Sequence, residues 1–224
     1  MNREALRNLI RKELGETTAS FWSNAELNTW IDLAGHDVAK RSKCIKTNGY
    51  LTTIESTGEY GLTGNFTGIL AINEVYYYQN GTRWKRLTQT SRERLSQDTS
   101  GWMSASDSTP QRYYWDIEED IIGYFPKPNS TNAGTNYSHV YYSKDYTDMS
   151  SDTSEPTGVP RELQLSMVDF VVATGYKTRG WGDKSNDAWN AYYGRIKNYI
   201  SERSDEKEED PEDRMVMRNY RNIW

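Results

Sequence analysis

The spacing of apolar residues changes twice along this chain, from a helical period to near alternation and back. That change limits the fold more than any single motif, because a stripe spaced for a helix scatters to both faces of a strand. Residues 2 to 14 carry Leu6, Leu9, Ile10 and Leu14 at helical spacing and stop at Gly15, a natural C-terminal residue. In "SFWSNAELNTWIDLAGHDVAKRSK", Ser23 and Glu26 have the capping-box spacing, and Leu27, Trp30, Ile31, Ala34 and Val38 form one stripe. The spacing predicts a helix from about residue 24 to 43.

From Thr47 to about Pro156 the residues tend to alternate, as in "GYLTTIEST" and "INEVYYYQNGTRWKRL". Asn80-Gly81 is a strong hairpin signal, since both positions tolerate positive φ. Pairing outward from a two-residue turn puts Tyr77 opposite Trp84 and Tyr78 opposite Arg83. Val75, Tyr77 and Trp84 would then share one face, with Tyr76 and Tyr78 on the other beside Arg83 and Lys85. "RYYWDIEEDIIGYFPKP" reads as strand, acidic turn and strand, closed by prolines that cannot continue a central strand. "NYSHVYYS" reads as another strand.

The polar stretch "SKDYTDMSSDTSEPTGVP" is a loop leading to Pro160 in the first turn of a helix over 161 to 179, striped by Leu163, Met167, Phe170, Val171 and Thr174. A last helix over 184 to 203 carries Trp189, Tyr192, Tyr193, Ile196 and Ile200. Trp30 and Trp189 are expected to be largely buried where these helices pack. The expectation is an α+β fold: a helical bundle of N-terminal and C-terminal helix pairs (1–46 and 159–204), a β-rich insertion (47–158), and an acidic spacer with an extended C-terminal arm (205–224).

Hydrophobic residues make up only 35%, but 17 Tyr and 8 Trp carry much of that share, so the buried surface should be aromatic and amphipathic. Such residues also suit protein interfaces. The start "MNREALRNLI" lacks the apolar run of a signal peptide and no segment resembles a membrane span, which predicts a soluble chain made in the cytoplasm and no membrane partner. The sequons at Asn65, Asn80, Asn129 and Asn136 are therefore read as turn residues. The net charge of −5 disfavours non-specific nucleic-acid binding.

Candidate chemistry is sparse. One cysteine, Cys44, and two histidines, His36 and His139, exclude a disulfide framework and a thiolate or histidine-rich metal centre. His36 is next to Asp37, but adjacent helical residues do not face each other, so the two make no orienting dyad. Cys44 lies near Lys43 and Lys46, which could lower its pKa, yet it lacks a histidine partner and reads as a bystander. Glu118, Glu119 and Asp120 are consecutive, and one turn cannot hold two carboxyls on opposite sides of a glycosidic bond. The glycines form no phosphate-binding loop. Neither catalysis nor a metal or cofactor is expected.

The order of these segments carries a resemblance. A W-x-x-x-E-L-x-x-W-I helix, a strand ending "IIGYFPKP", the strand "SHVYYSKDYTDM", the loop "TSEPTGVPRELQ" and the helix "DAWNAYYGRIKNYI" together resemble the head-to-tail adaptor (connector) proteins of tailed bacteriophages. The resemblance implies a structural virion protein at the neck between capsid and tail. It would form a homo-oligomeric, dodecameric ring below the portal protein, above tail tube, nozzle or fibre proteins, with DNA passing through without specific binding.

The chain ends "EEDPEDRMVMRNYRNIW". Glu202 to Asp213 is a solvated acidic spacer by composition. Beyond it, Arg214, Met215, Val216, Met217, Arg218, Tyr220, Arg221, Ile223 and Trp224 make an arm with no acid, expected to be disordered alone and ordered on the portal. The other function class is a carbohydrate- or receptor-binding module of a phage tail, which would leave aromatics exposed along a groove.

Overall fold

The computed structural model describes residues 1–208 except 17, 18, 20, 80, 81, 100 and 106. In chain order the elements are α1 (Arg3–Glu13), α2 (Asn24–Ser42), β1 (Lys46–Thr53), β2 (Glu59–Gly61), β3 (Ile69–Gln79), β4 (Arg83–Arg86), β5 (Thr88–Gln89), α3 (Arg92–Asp98), β6 (Arg112–Asp116), β7 (Ile121–Phe125), β8 (Gly134–Lys144), α4 (Arg161–Thr178) and α5 (Gly182–Glu208). The fold is α+β, with five α-helices and two sheets among the described residues. It divides into a helical unit, Met1–Cys44 with the chain from Tyr146 on, and a β unit, Ile45–Asp145.

In the helical unit, α2 starts where its capping box dictates: the Glu26 N–H donates to Ser23 Oγ at 3.1 Å and the Ser23 N–H to Glu26 Oε2 at 2.9 Å. Leu27, Ile31, Ala34 and Val38 are fully buried along it. The C-terminus of α4 is a Schellman turn, with Gly180 at φ 74, its N–H on the Lys177 carbonyl at 3.0 Å and that of Trp181 on the Tyr176 carbonyl at 3.0 Å. Trp30 and Trp189 are only half-buried. Trp30 lies on the flank of its stripe, and on α5 the buried line is Ser185, Tyr192, Ile196 and Tyr199. At about 100° per residue, Tyr193 and Ile200 fall roughly 70–90° from that line and are exposed. Among the described residues the buried tryptophan is Trp22, with the Arg179 guanidinium 4.1 Å from its ring centroid.

Two further departures concern polar segments. On α1, Leu6, Ile10 and Leu14 are buried as predicted, but so are Arg3, Arg7 and Arg11, which repeat every four residues. Arg3 pairs with Asp32 at 2.7 Å, Arg7 with Asp152 at 2.8 Å and Arg11 with Glu16 at 2.6 Å, so one side of α1 is held by ions. The polar loop after β8 is anchored as well, burying Tyr146, Met149 and Val159. The Tyr146 ring covers Gly35 so closely that a Cβ there would lie 2.5 Å from it. α5 continues to Glu208, four residues beyond the expected end of the bundle at 204, because that stretch holds good helix formers and no proline before Pro211.

The β unit packs two four-stranded sheets, ordered β1-β8-β3-β4 and β2-β7-β6-β5, antiparallel except at β5–β6. Leu51, Val75, Tyr77 and Val140 of the first meet Tyr60, Tyr113, Ile122 and Tyr124 of the second. The core is amphipathic, and the hydroxyls of its two fully buried tyrosines are satisfied. Tyr77 OH donates to the Asn132 carbonyl at 2.6 Å and accepts from Thr53 Oγ1 at 2.8 Å, and Tyr124 OH bonds Ser138 Oγ at 2.6 Å.

The β3–β4 register differs by one residue from the two-residue-turn expectation. Asn80 and Gly81 lie outside the described residues, but pairing starts at Gln79 opposite Arg83, so Tyr78 faces Trp84 and Tyr77 faces Lys85. Thr82 belongs to the connection, its N–H on the Gln79 carbonyl at 3.0 Å. A one-residue slip exchanges the faces. Trp84 thus joins Tyr76 and Tyr78 on the outside, while Val75 and Tyr77 stay in the core. Of the sequons, Asn65 is in a turn and Asn129 caps a 3-10 turn, but Asn136 lies within β8 at φ 60.

Burial raises the phenol pKa of Tyr77, Tyr114 and Tyr124 in the β unit and of Tyr146 and Tyr192 in the helical unit. A raised folded-state pKa contributes stability below the unfolded value, about 10 for tyrosine, that is lost as pH rises through the folded value. The protein is therefore expected to hold its stability up to about pH 10 and then lose it in both units, with tyrosinate absorbance appearing together with unfolding. Tyrosinate titrating fully before any loss of structure would contradict this burial.

Candidate interaction surfaces

The slipped register assembles a surface that no local segment shows. On the outer face of the β1-β8-β3-β4 sheet, Tyr50 of β1 lies opposite His139 of β8, His139 opposite Tyr76 of β3, and Tyr78 opposite Trp84 of β4. The Tyr50 and His139 rings stack at 4.2 Å, His139 and Tyr141 lie 4.3 Å apart, and Trp84 is 5.2 Å from Tyr78, 5.9 Å from His139 and 6.1 Å from Tyr50. Tyr50 remains 48% exposed, Trp84 43% and Tyr141 37%, so these rings present area to solvent rather than completing a core. Polar groups are set among them: Tyr76 OH donates to Glu74 Oε2 at 3.1 Å, Arg86 pairs with Glu74 at 3.3 Å, and His139 Nε2 lies 3.0 Å from Asn48 Oδ1. Burial pushes the His139 pKa down, which leaves the imidazole largely neutral at pH 7. Glu74, Tyr76, Trp84, His139 and Tyr141 line a shallow cavity of about 420 Å³.

The helical unit has a groove of its own, about 480 Å³, lined by Leu9 of α1, Leu165, Val168 and Val172 of α4, and Ala188 of α5. Glu13, Asp169, Lys184, Asp187 and Arg195 surround it, with Arg195 Nε on Asp169 at 2.7 Å. Leu33, Tyr193 and Ile200 add exposed apolar area elsewhere on this unit.

The residues considered for chemistry do not converge. His36 is half-buried, with Nε2 2.9 Å from Asp148 Oδ1, a partner distant in sequence. Cys44 is buried, and burial raises its thiol pKa, so the lysines do not make it the lowered thiol their proximity suggested. Glu118, Glu119 and Asp120 form a turn, but not a merely solvated one. Arg92 of α3 bonds Glu119 at 2.9 Å, Asp116 at 3.1 Å and Glu59 at 3.0 Å, and Thr63 Oγ1 donates to Asp120 at 2.6 Å. Among the described residues no group of three or more His, Cys, Asp or Glu could hold a metal, and no helix is long and apolar enough to cross a membrane. The arm residues Arg214, Met215, Val216, Met217, Arg218, Tyr220, Arg221, Ile223 and Trp224 lie outside the described residues.

The SU10 adaptor protein family matches residues 1–219, nearly the whole chain. The chain belongs to the SU10 adaptor protein family. It is thus a phage head–tail adaptor with a structural role in the particle, in agreement with the resemblance carried by the order of its segments. No match was found among curated protein sequences. Solved structures similar to this adaptor include a chain from the neck of an empty GTA particle determined with C6 symmetry, at 10% identity and a TM-score of 0.30, over 77% of this chain and 76% of that one.

Proposed function

We propose that this adaptor forms a closed ring, a dodecamer, between the portal and the tail. The ring encircles the DNA exit channel, with tail tube, nozzle or fibre proteins docking below. It sits in the neck of the virion after synthesis in the host cytoplasm, and it works by binding rather than by turnover. Family membership along the whole chain carries this reading. Two features support it. The helical unit exposes an apolar groove together with separate apolar patches, the kind of dissimilar surfaces a head-to-tail ring requires. The net charge of −5 suits a channel that must release DNA.

Attachment to the portal is assigned to residues 214 to 224. Burying Met215, Val216, Met217, Tyr220, Ile223 and Trp224 contributes about 1.5–3 kcal/mol each, roughly 9–18 together. Fixing the backbone of those eleven residues costs roughly 11–22 kcal/mol. The two nearly cancel, so a single arm binds weakly and a ring of arms binds firmly through effective concentration. A chain truncated after Asp213 should keep its thermal midpoint and fail to co-sediment with portals. Undiminished co-sedimentation would overturn the arm's role.

A further inference from the structure

We propose that the outer face of the β1-β8-β3-β4 sheet is a binding platform for a neutral polysaccharide, its pyranose rings stacked on Trp84, Tyr50 and Tyr141 and its hydroxyls bonded by Glu74, Arg86 and Asn48. This function is separate from ring formation and does not depend on it.

Three properties of the face select this ligand. First, the rings come from three different strands and keep area exposed, so successive sugar units can each meet an aromatic surface; rings of this type combine an apolar body with a polar handle. Second, hydrogen-bonding groups are set among the rings, with Glu74 in the lining of the aromatic cavity and Arg86 and Asn48 bonded to lining residues. Glu74 is oriented by the Tyr76 hydroxyl and by Arg86, and Asn48 by His139. A pocket with apolar walls and a few fixed polar groups is the usual form of a small-ligand site. Third, the charges set among the rings offset each other, since Glu74 pairs with Arg86, and burial disfavours the charged form of His139.

The competing occupant is a protein. Interface cores are depleted of charged residues, and closing a dry apolar surface over Glu74 and Arg86 would strip their water without replacement. The hydroxyls of a sugar substitute for that water directly, so both ions keep their hydrogen bonds. The observations therefore favour a polyhydroxylated ligand over an apolar protein surface.

The test uses the full-length chain in affinity electrophoresis through gels cast with dextran, laminarin, mannan or a neutral O-polysaccharide. Wild-type protein is expected to be retarded by at least one of them. Trp84→Ala and Tyr50→Ala, both at exposed positions, are expected to weaken that retardation at least about tenfold with unchanged circular dichroism. Glu74→Gln should weaken it while leaving the rings in place. Wild-type mobility unaffected by every gel overturns the proposal, as does equal retardation of wild type and Trp84→Ala. Loss of binding to a tail component in Trp84→Ala, with no retardation of wild type, marks the face as a protein contact and also overturns it.

Discussion

Replacing Arg11 by methionine is expected to lower the stability of the helical unit by about 3–5 kcal/mol, the range for removing one member of a buried ion pair. The side chains of Arg11 and Glu16 are 7% and 4% exposed, so the carboxylate left behind has no access to water. Arg11 does more than neutralise it, since Nη2 also donates to the Trp22 carbonyl at 3.0 Å and to Asn24 Oδ1 at 2.8 Å, which ties α1 to the start of α2. Glu16 in turn accepts the Phe21 N–H. The double variant Arg11→Met/Glu16→Gln should recover part of the loss, because a neutral amide oxygen still accepts that N–H while no charge remains to be solvated. Urea unfolding followed by helical circular dichroism measures both. A loss under about 1 kcal/mol in the single variant would mean the pair behaves as an exposed one.

Tyr77→Ala is expected to cost the β unit about 3–5 kcal/mol, the usual range for deleting a large aromatic side chain from a core. Tyr77 is fully buried and its ring meets that of Tyr124 edge to face at 5.4 Å. Tyr77→Phe separates packing from hydrogen bonding. It preserves the ring but leaves the Asn132 carbonyl and Thr53 hydroxyl short of a partner, a loss of about 1–3 kcal/mol. Wild-type stability in the phenylalanine variant would show that the Asn132 carbonyl and the Thr53 hydroxyl are satisfied without the phenol.

Local signals were legible in the sequence, and distant ones were not. The start of α2 could be read to the residue because Ser23 and Glu26 satisfy each other within one turn. The arginines of α1 could not be recognised as a buried line, because Asp32 and Asp152 reach them from far along the chain, and a four-residue repeat of arginines reads as a solvated face. The strands of the β unit were visible from alternation, apart from the short β2 and β5. α3 went unseen as well, being only seven residues long. The outer aromatic face depended on two facts the sequence withheld. Thr82 lengthens the β3–β4 connection by one residue, which brings Trp84 to the outside, and β8 inserts between β1 and β3, which carries His139 and Tyr141 between Tyr50 and Tyr76. The second is long-range topology, with no local signature.

Single-particle cryo-electron microscopy of phage particles carrying this chain tests the central claim most directly. The account predicts a closed ring of its copies at the neck, in contact with the portal above and a tail component below, with the channel open to DNA. Copies found only at the distal end of the tail, or isolated copies at the neck that close no ring, would contradict it.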